Sequence, residues 1–389
     1  MNNFNFYSPT KILFGKGEES NVGSEVARYT TKVLLVYGQS SIKKNGIYDS
    51  VIKSLKGSNI AVIELSGVQP NPRLSLVYEG IKLCKEQDVE FILAVGGGSV
   101  LDTAKAIAVG VPYSGDVWDF FLGKKALEKA LPVGTILTLP GTGSEASNSC
   151  VISKEDENLK RGINSDVIRP VFSILNPEFM YTLPAYQTAC GLFDAMSHVL
   201  ERYFTRTKNA DLTDRYCEST LRTFIKFAPI AINDPTNYEA RAETTWASKL
   251  AHDGSLSCGR IADFGSHKIE HELSGLYDVT HGAGMAVIFP AWMKYMYKQD
   301  IPLFAKFAAR VFDVEPNYEN LEETALEGIN RLQQFIKSIG LPTTLAELEV
   351  PTNEFERMAK SATSNDTKTV GEFLKMTSKD IIAIYELAK

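Results

Sequence analysis

The sequence predicts an α/β domain built on a parallel sheet, followed by a mostly helical domain. Three observations carry that prediction. Short apolar runs alternate with helical segments as far as residue 175. Two glycine- and hydroxyl-rich segments follow directly on such runs. Beyond Pro184, helical periodicity continues without further β-like runs. Repeated β-α units with continuously apolar strands mark a parallel sheet covered on both faces.

Residues 32–37 (KVLLVY) are an apolar run that stops at Gly38, as a buried strand would. Residues 47–55 have helical spacing, and 60–65 read as a second strand, with Pro70 and Pro72 marking the turn after it. Residues 74–87 form an amphipathic helix with Leu76, Val77, Gly80, Ile81 and Cys84 on one face. Residues 91–95 (FILAV) are a third buried strand, followed at once by Gly96, Gly97, Gly98 and Ser99 and then by a helix over 100–108. Two more strands fall at 132–139 and 171–175. The segment 4–14 reads as an edge hairpin, which needs covering. After Pro184, the stretches 189–203, 213–227, 240–251 and 321–339 repeat at the helical period. A boundary at residues 184–186 therefore divides the chain into an α/β part, 1–185, and a helical part, 186–389.

With 389 residues, 44% of them hydrophobic and 23% charged, the chain has the composition of an ordinary globular protein of two domains. A net charge of −6 argues against a nucleic-acid partner, whose counterion release requires a basic patch. No window approaches the run of apolar residues that a membrane span needs, and the first residues lack the basic and apolar regions of a signal peptide. Cys84, Cys150, Cys190, Cys217 and Cys258 are scattered singly, which suits reduced thiols, so a cytoplasmic protein is expected. The five histidines, His198, His252, His267, His271 and His281, all lie in one stretch of the second half.

The turn at 96–99 joins a strand to a helix. Glycines let a backbone approach a ligand closely, and a helix N-terminus offers unpaired N–H groups to a phosphate. The segment Thr138-Leu139-Pro140-Gly141-Thr142-Gly143-Ser144-Glu145 follows another strand. Ligands of open α/β sheets bind at the carboxyl ends of strands, so both segments can line one crevice. Either segment alone is equally a structural turn. The first strand runs into Gly38, Gln39, Ser40 and Ser41, then Lys43 and Lys44. No acid stands there to bond an adenosine ribose and exclude a 2′-phosphate. The two lysines either attract that phosphate or are a solvated surface pair.

Asp194 and His198 are spaced i, i+4, so a helix puts them on one face, where they can chelate one ion. The same spacing suits a buried carboxylate bonded to backbone beside a core histidine. His267 and His271 repeat the spacing, and His281 follows in a loop leading to the apolar segment 285–290. The histidine spacing matches HExxH, but the internal Lys-Ile-Glu puts no glutamate where a metalloprotease base must stand. Three imidazoles and one carboxylate suit a divalent ion such as ferrous iron or zinc.

The combination GGGSVLDTAKAIA (96–108), LPGTGSE (139–145), GLFDAMSHVLERY (191–203), and His267 and His271 followed by His281-Gly-Ala-Gly-Met resembles the iron-containing (group III) alcohol dehydrogenases. Within them it most resembles the NADP-dependent butanol dehydrogenases and broad-range aldehyde reductases. The resemblance runs over essentially the whole chain. It implies a dehydroquinate synthase-like architecture, with a Rossmann-like N-terminal domain, a helical C-terminal domain and a metal in the cleft between them. It implies NADP(H) as cofactor, one Fe(II) or Zn(II) ion, a small alcohol or aldehyde substrate and a homodimer. Asp194, His198, His267 and His281 match the metal ligands, and His271 matches a histidine beside the nicotinamide that is not a ligand. Gly38, Ser40, Ser41, Asn71, Gly97, Gly98, Ser99, Asp102, Thr138, Thr142, Lys160 and Phe179 match cofactor positions. Two departures bear on substrate preference: a segment often written LDPE reads Leu175-Asn176-Pro177-Glu178, and Phe179 holds a position that varies among relatives.

Three other readings remain. Glycerol dehydrogenases and dehydroquinate synthases share the scaffold. A lyase acting on a sugar phosphate would need a basic pocket, whereas Arg260 and Lys268 stand alone in 250–285. A non-catalytic nucleotide sensor would keep residues 97–99 but gain nothing from the Asp/His cluster.

Overall fold

The computed structural model describes residues 1–389, which fall into two compact units. One comprises Tyr7–Leu183 and Pro235–Lys249, the other Met1–Phe6, Pro184–Asp234 and Leu250–Lys389. This differs from two continuous stretches, 1–185 and 186–389, at two places. The first part of the helix Tyr238–His252 belongs with the α/β unit because Trp246 packs edge-on against Phe14, 5.7 Å between ring centres. Lys16 lies over the Tyr238 ring, and Ser248 donates to the Gly141 carbonyl. The first residues join the helical unit through backbone bonds, among them Asn2 N–H to the Gly259 carbonyl, 2.9 Å.

The α/β unit is built on a six-stranded, all-parallel sheet. Its strands are β1 (Lys11–Phe14), β2 (Lys32–Tyr37), β3 (Ala61–Leu65), β4 (Ile92–Gly97), β5 (Val133–Leu139) and β8 (Phe172–Leu175). Their spatial order is β1-β8-β5-β4-β2-β3. Alternate residues feed two separate cores, as the pleat dictates. Leu34, Val36, Ile92 and Ala94 join one core, with the helices Leu74–Glu86 and Gly98–Gly110. Val33, Leu35, Leu93 and Val95 join the other, with the helix Ile47–Gly57. Burial on both faces is why these strands read as unbroken apolar runs.

Residues 4–14 form no hairpin. Within them only β1 is a strand, and it pairs in parallel with β8, Lys11 opposite Phe172. A pairing partner so distant in sequence leaves no local signal at 4–14. Strands β6 (Ser149–Lys154) and β7 (Leu159–Asn164) form an antiparallel hairpin that the sequence reading did not anticipate. Their mixed composition, SCVISK and LKRGIN, hides the alternation.

The second unit is helical. Its helix Ala185–Tyr203 is buried from Thr188 onward, and the helix His281–Met296 is buried almost throughout. Phe204, Phe289, Trp292, Phe304 and Phe307 form an aromatic core beside them. His281 opens a helix rather than lying in a loop, because the small residues Gly282, Ala283 and Gly284 continue helically into the apolar segment. No helix is long and apolar enough to cross a membrane.

Candidate metal centre and cofactor cradle

Three helices of the helical unit converge on one point. Ala185–Tyr203 supplies Asp194 and His198, Gly265–Tyr277 supplies His267 and His271, and His281–Met296 begins with His281. Asp194 Oδ1 lies 3.8 Å from His198 Nδ1, 3.9 Å from His267 Nε2 and 3.5 Å from His281 Nε2. Donor atoms of Asp194, His267 and His281 all fall within 4.8 Å of one another. His198 stands just outside that triad, with its ring stacked 4.5 Å from His267. The structure thus gathers three of the four expected ligands tightly and sets the fourth beside them.

Two carboxylates behind the cluster were not picked out in the sequence. Glu201 Oε1 accepts from His267 Nδ1 (2.9 Å), from the His267 N–H (3.0 Å) and from the Ser266 hydroxyl. Glu270 accepts from His281 Nδ1 and from the Ser274 hydroxyl. Both glutamates are fully buried. A carboxylate on Nδ1 fixes the tautomer and turns the Nε2 lone pair toward the ion, the usual arrangement behind metal-bound histidine. Spacing could have flagged Glu201, three residues after His198 on the same face.

These residues fit a divalent cation. His267 Nε2 and His198 Nδ1 are buried, and no protein group hydrogen-bonds to either. Burial, reinforced by His252, His267 and Arg202, pushes His198 well below its usual range, so its imidazole is neutral, as coordination requires. A dication offsets the cost of keeping the Asp194 charge out of water. Glu270, His271 and His281 also bring donor atoms within 4.8 Å of one another, but Glu270 already bonds His281 and Ser274. That leaves His271, half-buried with its ring 5.6 Å from His281, outside the main triad. His252 packs against His198 at 4.5 Å, and Arg202 bonds both His252 Nδ1 (2.8 Å) and the His198 carbonyl (2.7 Å).

In the α/β unit, β4 lies between β2 and β5, and the order in which strands are added reverses between β2 and β4. The carboxyl ends of those strands carry Gly38 to Ser41, Gly97 to Ser99, and Thr138 to Glu145. Gly97 precedes the first turn of the helix Gly98–Gly110, whose free N–H groups face the strand ends. A Cβ on Gly98 would lie 2.3 Å from Thr142 Oγ1, so the two glycine segments touch here and residue 98 has no room for a side chain. Asn71, at φ +52°, accepts a 3.0 Å bond from Lys160, and both are buried. Asp102 Oδ1 accepts from the Ser144 hydroxyl (2.6 Å) and Oδ2 from the Val151 N–H (3.0 Å). Ser40 and Ser41 are exposed, Thr138 is half-buried, and Phe179 packs on both sheet cores.

An acid does stand near β2, but one strand out. Glu64 on β3 accepts 2.6 Å bonds from the Tyr37 and Tyr48 hydroxyls, with Lys43 Nζ 3.7 Å away. These bonds, Tyr37 first, hold its carboxyl below the ordinary range.

A sheet with a glycine cradle at its switch point and a helical unit with an Asp/His cluster define a class, that of metal-dependent dinucleotide enzymes. Residues 9–177 match the iron-containing alcohol dehydrogenase family and 188–389 its C-terminal domain. NADH-dependent butanol dehydrogenase A of Clostridium acetobutylicum is 42% identical over 99% of each chain. NADPH-dependent aldehyde reductase YqhD of Escherichia coli is 34% identical over 100% of both. A crystal structure of NADH-dependent butanol dehydrogenase A from Thermotoga maritima superposes with a TM-score of 0.96, at 40% identity, covering 100% of this chain and 99% of that one. The chain belongs to the iron-containing alcohol dehydrogenase family. It is an alcohol dehydrogenase or aldehyde reductase, with the nicotinamide cofactor and iron-type metal of that family.

Proposed function

We propose that the protein reduces short aldehydes such as butanal with NADPH, and oxidises the corresponding primary alcohols with NADP+, as a homodimer. The observation that carries this reading is the triad of buried Asp194 and His267 with half-buried His281, and His198 as fourth donor. When bound there, Fe(II) or Zn(II) supplies Lewis acidity toward the carbonyl oxygen, while the nicotinamide supplies the hydride.

The chain's own residues do the rest. Glu201 and Glu270 hold the His267 and His281 rings in the required tautomers. Gly97, Gly98 and Ser99 seat the cofactor diphosphate at the helix N-terminus, with Asp102, Thr138, Thr142, Asn71, Lys160 and Phe179 completing the cofactor contacts. His271 moves the proton of the alcohol hydroxyl. His271→Ala should keep its metal while kcat falls about a hundredfold, the ordinary worth of a positioned acid–base group. Metal analysis beside turnover checks this, and loss of the ion would make His271 a ligand.

The preference for NADPH rests on the end of β2. This strand adjoins β4, so Gly38, Ser40 and Ser41 stand on the ribose side of the cradle, and none is acidic. Glu64 lies one strand farther out, occupied by two tyrosines and Lys43. The butanol dehydrogenase relatives are named NADH-dependent and the aldehyde reductase NADPH-dependent, so cofactor choice divides the family. Metal content and kcat/KM for both cofactors over an aldehyde chain-length series test the reading. We expect NADPH to be favoured by about tenfold or more, one well-placed contact's worth. A ratio favouring NADH overturns the assignment of the 2′ site. The edge position of β1, with Phe4, Phe6 and Tyr7 exposed just before it, supports the homodimer.

A further inference from the structure

We propose that Lys105 is a positioning residue for the cofactor: its buried ammonium pins the loop 141–149 to the helix that begins at the phosphate turn, and so sets the width of the cradle. The inference rests on the cofactor placement given above.

Lys105 has no exposed surface. Its Nζ donates to the Ser149 carbonyl (2.9 Å), the Ser147 carbonyl (3.0 Å) and the Ser147 hydroxyl (3.4 Å), which accounts for all three ammonium hydrogens. Asp102, one turn earlier, holds Ser144 and the Val151 N–H. The Cys150 thiol donates to the Asp102 carbonyl. Residues 144 to 151 are thus tied to a single helical turn. One turn before Asp102, that helix starts with Gly98 close against Thr142. The loop has no ladder of its own at 141–148; its turns close through the Ala146 and Ser147 N–H groups on the Gly143 carbonyl, and it is also held by Arg169 on the Ala146 carbonyl (2.6 Å), the Ser173 hydroxyl on the Glu145 carbonyl and the Ser165 N–H on the Asn148 carbonyl (2.8 Å). The bonds from Asp102 and Lys105 are what tie this loop to the helix of the phosphate turn. A buried lysine is costly to keep out of water, and a methionine would fill the same space. Burial pushes its ammonium down to about 8, so it still carries charge at neutral pH. Its charge is answered by Asp102 and its hydrogens by the loop, which together give the lysine a use that packing alone does not.

The test is K105M, judged folded by circular dichroism, with NADPH affinity read by nicotinamide fluorescence. We expect Kd and KM for NADPH to rise at least about tenfold, with kcat at saturating NADPH and metal affinity near wild type. Amide hydrogen exchange should quicken at 141–149 and not in β4 or β5. K105R, which keeps the cation, should recover most of the affinity. A purely structural role would lower Tm and leave Kd alone, and that result overturns the proposal. Should K105M not fold, K105Q takes its place: weakened NADPH binding supports the clamp and wild-type binding refutes it. A wild-type protein that binds neither dinucleotide would instead defeat the cofactor placement itself.

Discussion

Replacing His267 with alanine is expected to remove the metal and the activity together. His267 is the ligand whose surroundings are most fully committed. Its Nδ1 and its backbone N–H both reach Glu201, and its Nε2 points to Asp194 with no protein group bonded to it. Changing a residue that merely orients a ligand costs about 10- to 100-fold in metal affinity. Deleting the ligand should cost more, so about one equivalent of metal in the wild type should fall to background after dialysis. Turnover should fall by about a thousandfold or more, since polarisation of the carbonyl is the largest electrostatic contribution available at such a site. Metal analysis and NADPH oxidation on the same preparation check both halves. Chelator competition on the unmutated protein gives the reference affinity. A metal-free H267A with full turnover would remove the Asp/His cluster from the mechanism.

Much of the α/β unit was legible because its strands are buried on both faces. The runs at 32–37 and 91–95 are unbroken apolar sequences closed by glycine, and they became β2 and β4 with almost no exposed side chain. What stayed hidden depends on distant partners. The pairing of β1 with β8 joins residues 11 and 172, and no local pattern near residue 11 encodes it. The β6–β7 hairpin turns on Glu155 to Asn158 and carries Lys160 to Asn71. Its strands are half polar for that reason and lack an apolar signature. At the cluster, rare histidines gave the site away. Glu201 and Glu270 did not, because acids are common on helices; the i, i+3 spacing from His198 hints at Glu201, but burial is what sets both apart. Lys43 shows the same limit: two adjacent lysines read as a phosphate site or as surface, and only the fold brings one of them against Glu64, Tyr37 and Tyr48.

Gly282→Ala should disable the same centre without touching a ligand. Gly282 is the second residue of the helix His281–Met296, directly after a proposed ligand. A Cβ there would lie 2.0 Å from the Cys190 carbonyl oxygen and 2.6 Å from its carbon. Both are backbone atoms of the helix Ala185–Tyr203, so no side chain can swing aside. In an α-helix the carbonyl of residue 190 accepts the N–H of residue 194. Moving it moves Asp194, and moving the other helix moves His281, whose Nε2 is 3.5 Å from the Asp194 carboxylate. Overpacking a tight contact costs about 1–3 kcal/mol and sometimes more, and a clash between two backbones belongs at the upper end. The expected result is a loss of metal affinity of about a hundredfold, since each 1.4 kcal/mol is a factor of ten. NADPH affinity of the α/β unit should stay near wild type, because Gly97 lies against Leu139, Gly98 against Thr142 and Ser144 on Asp102, all within that unit. Chelator competition and NADPH fluorescence separate the two effects. Wild-type metal affinity in G282A would mean that the two helices part without disturbing the ligands, and that the tight contact at Cys190 is not what brings Asp194 and His281 together.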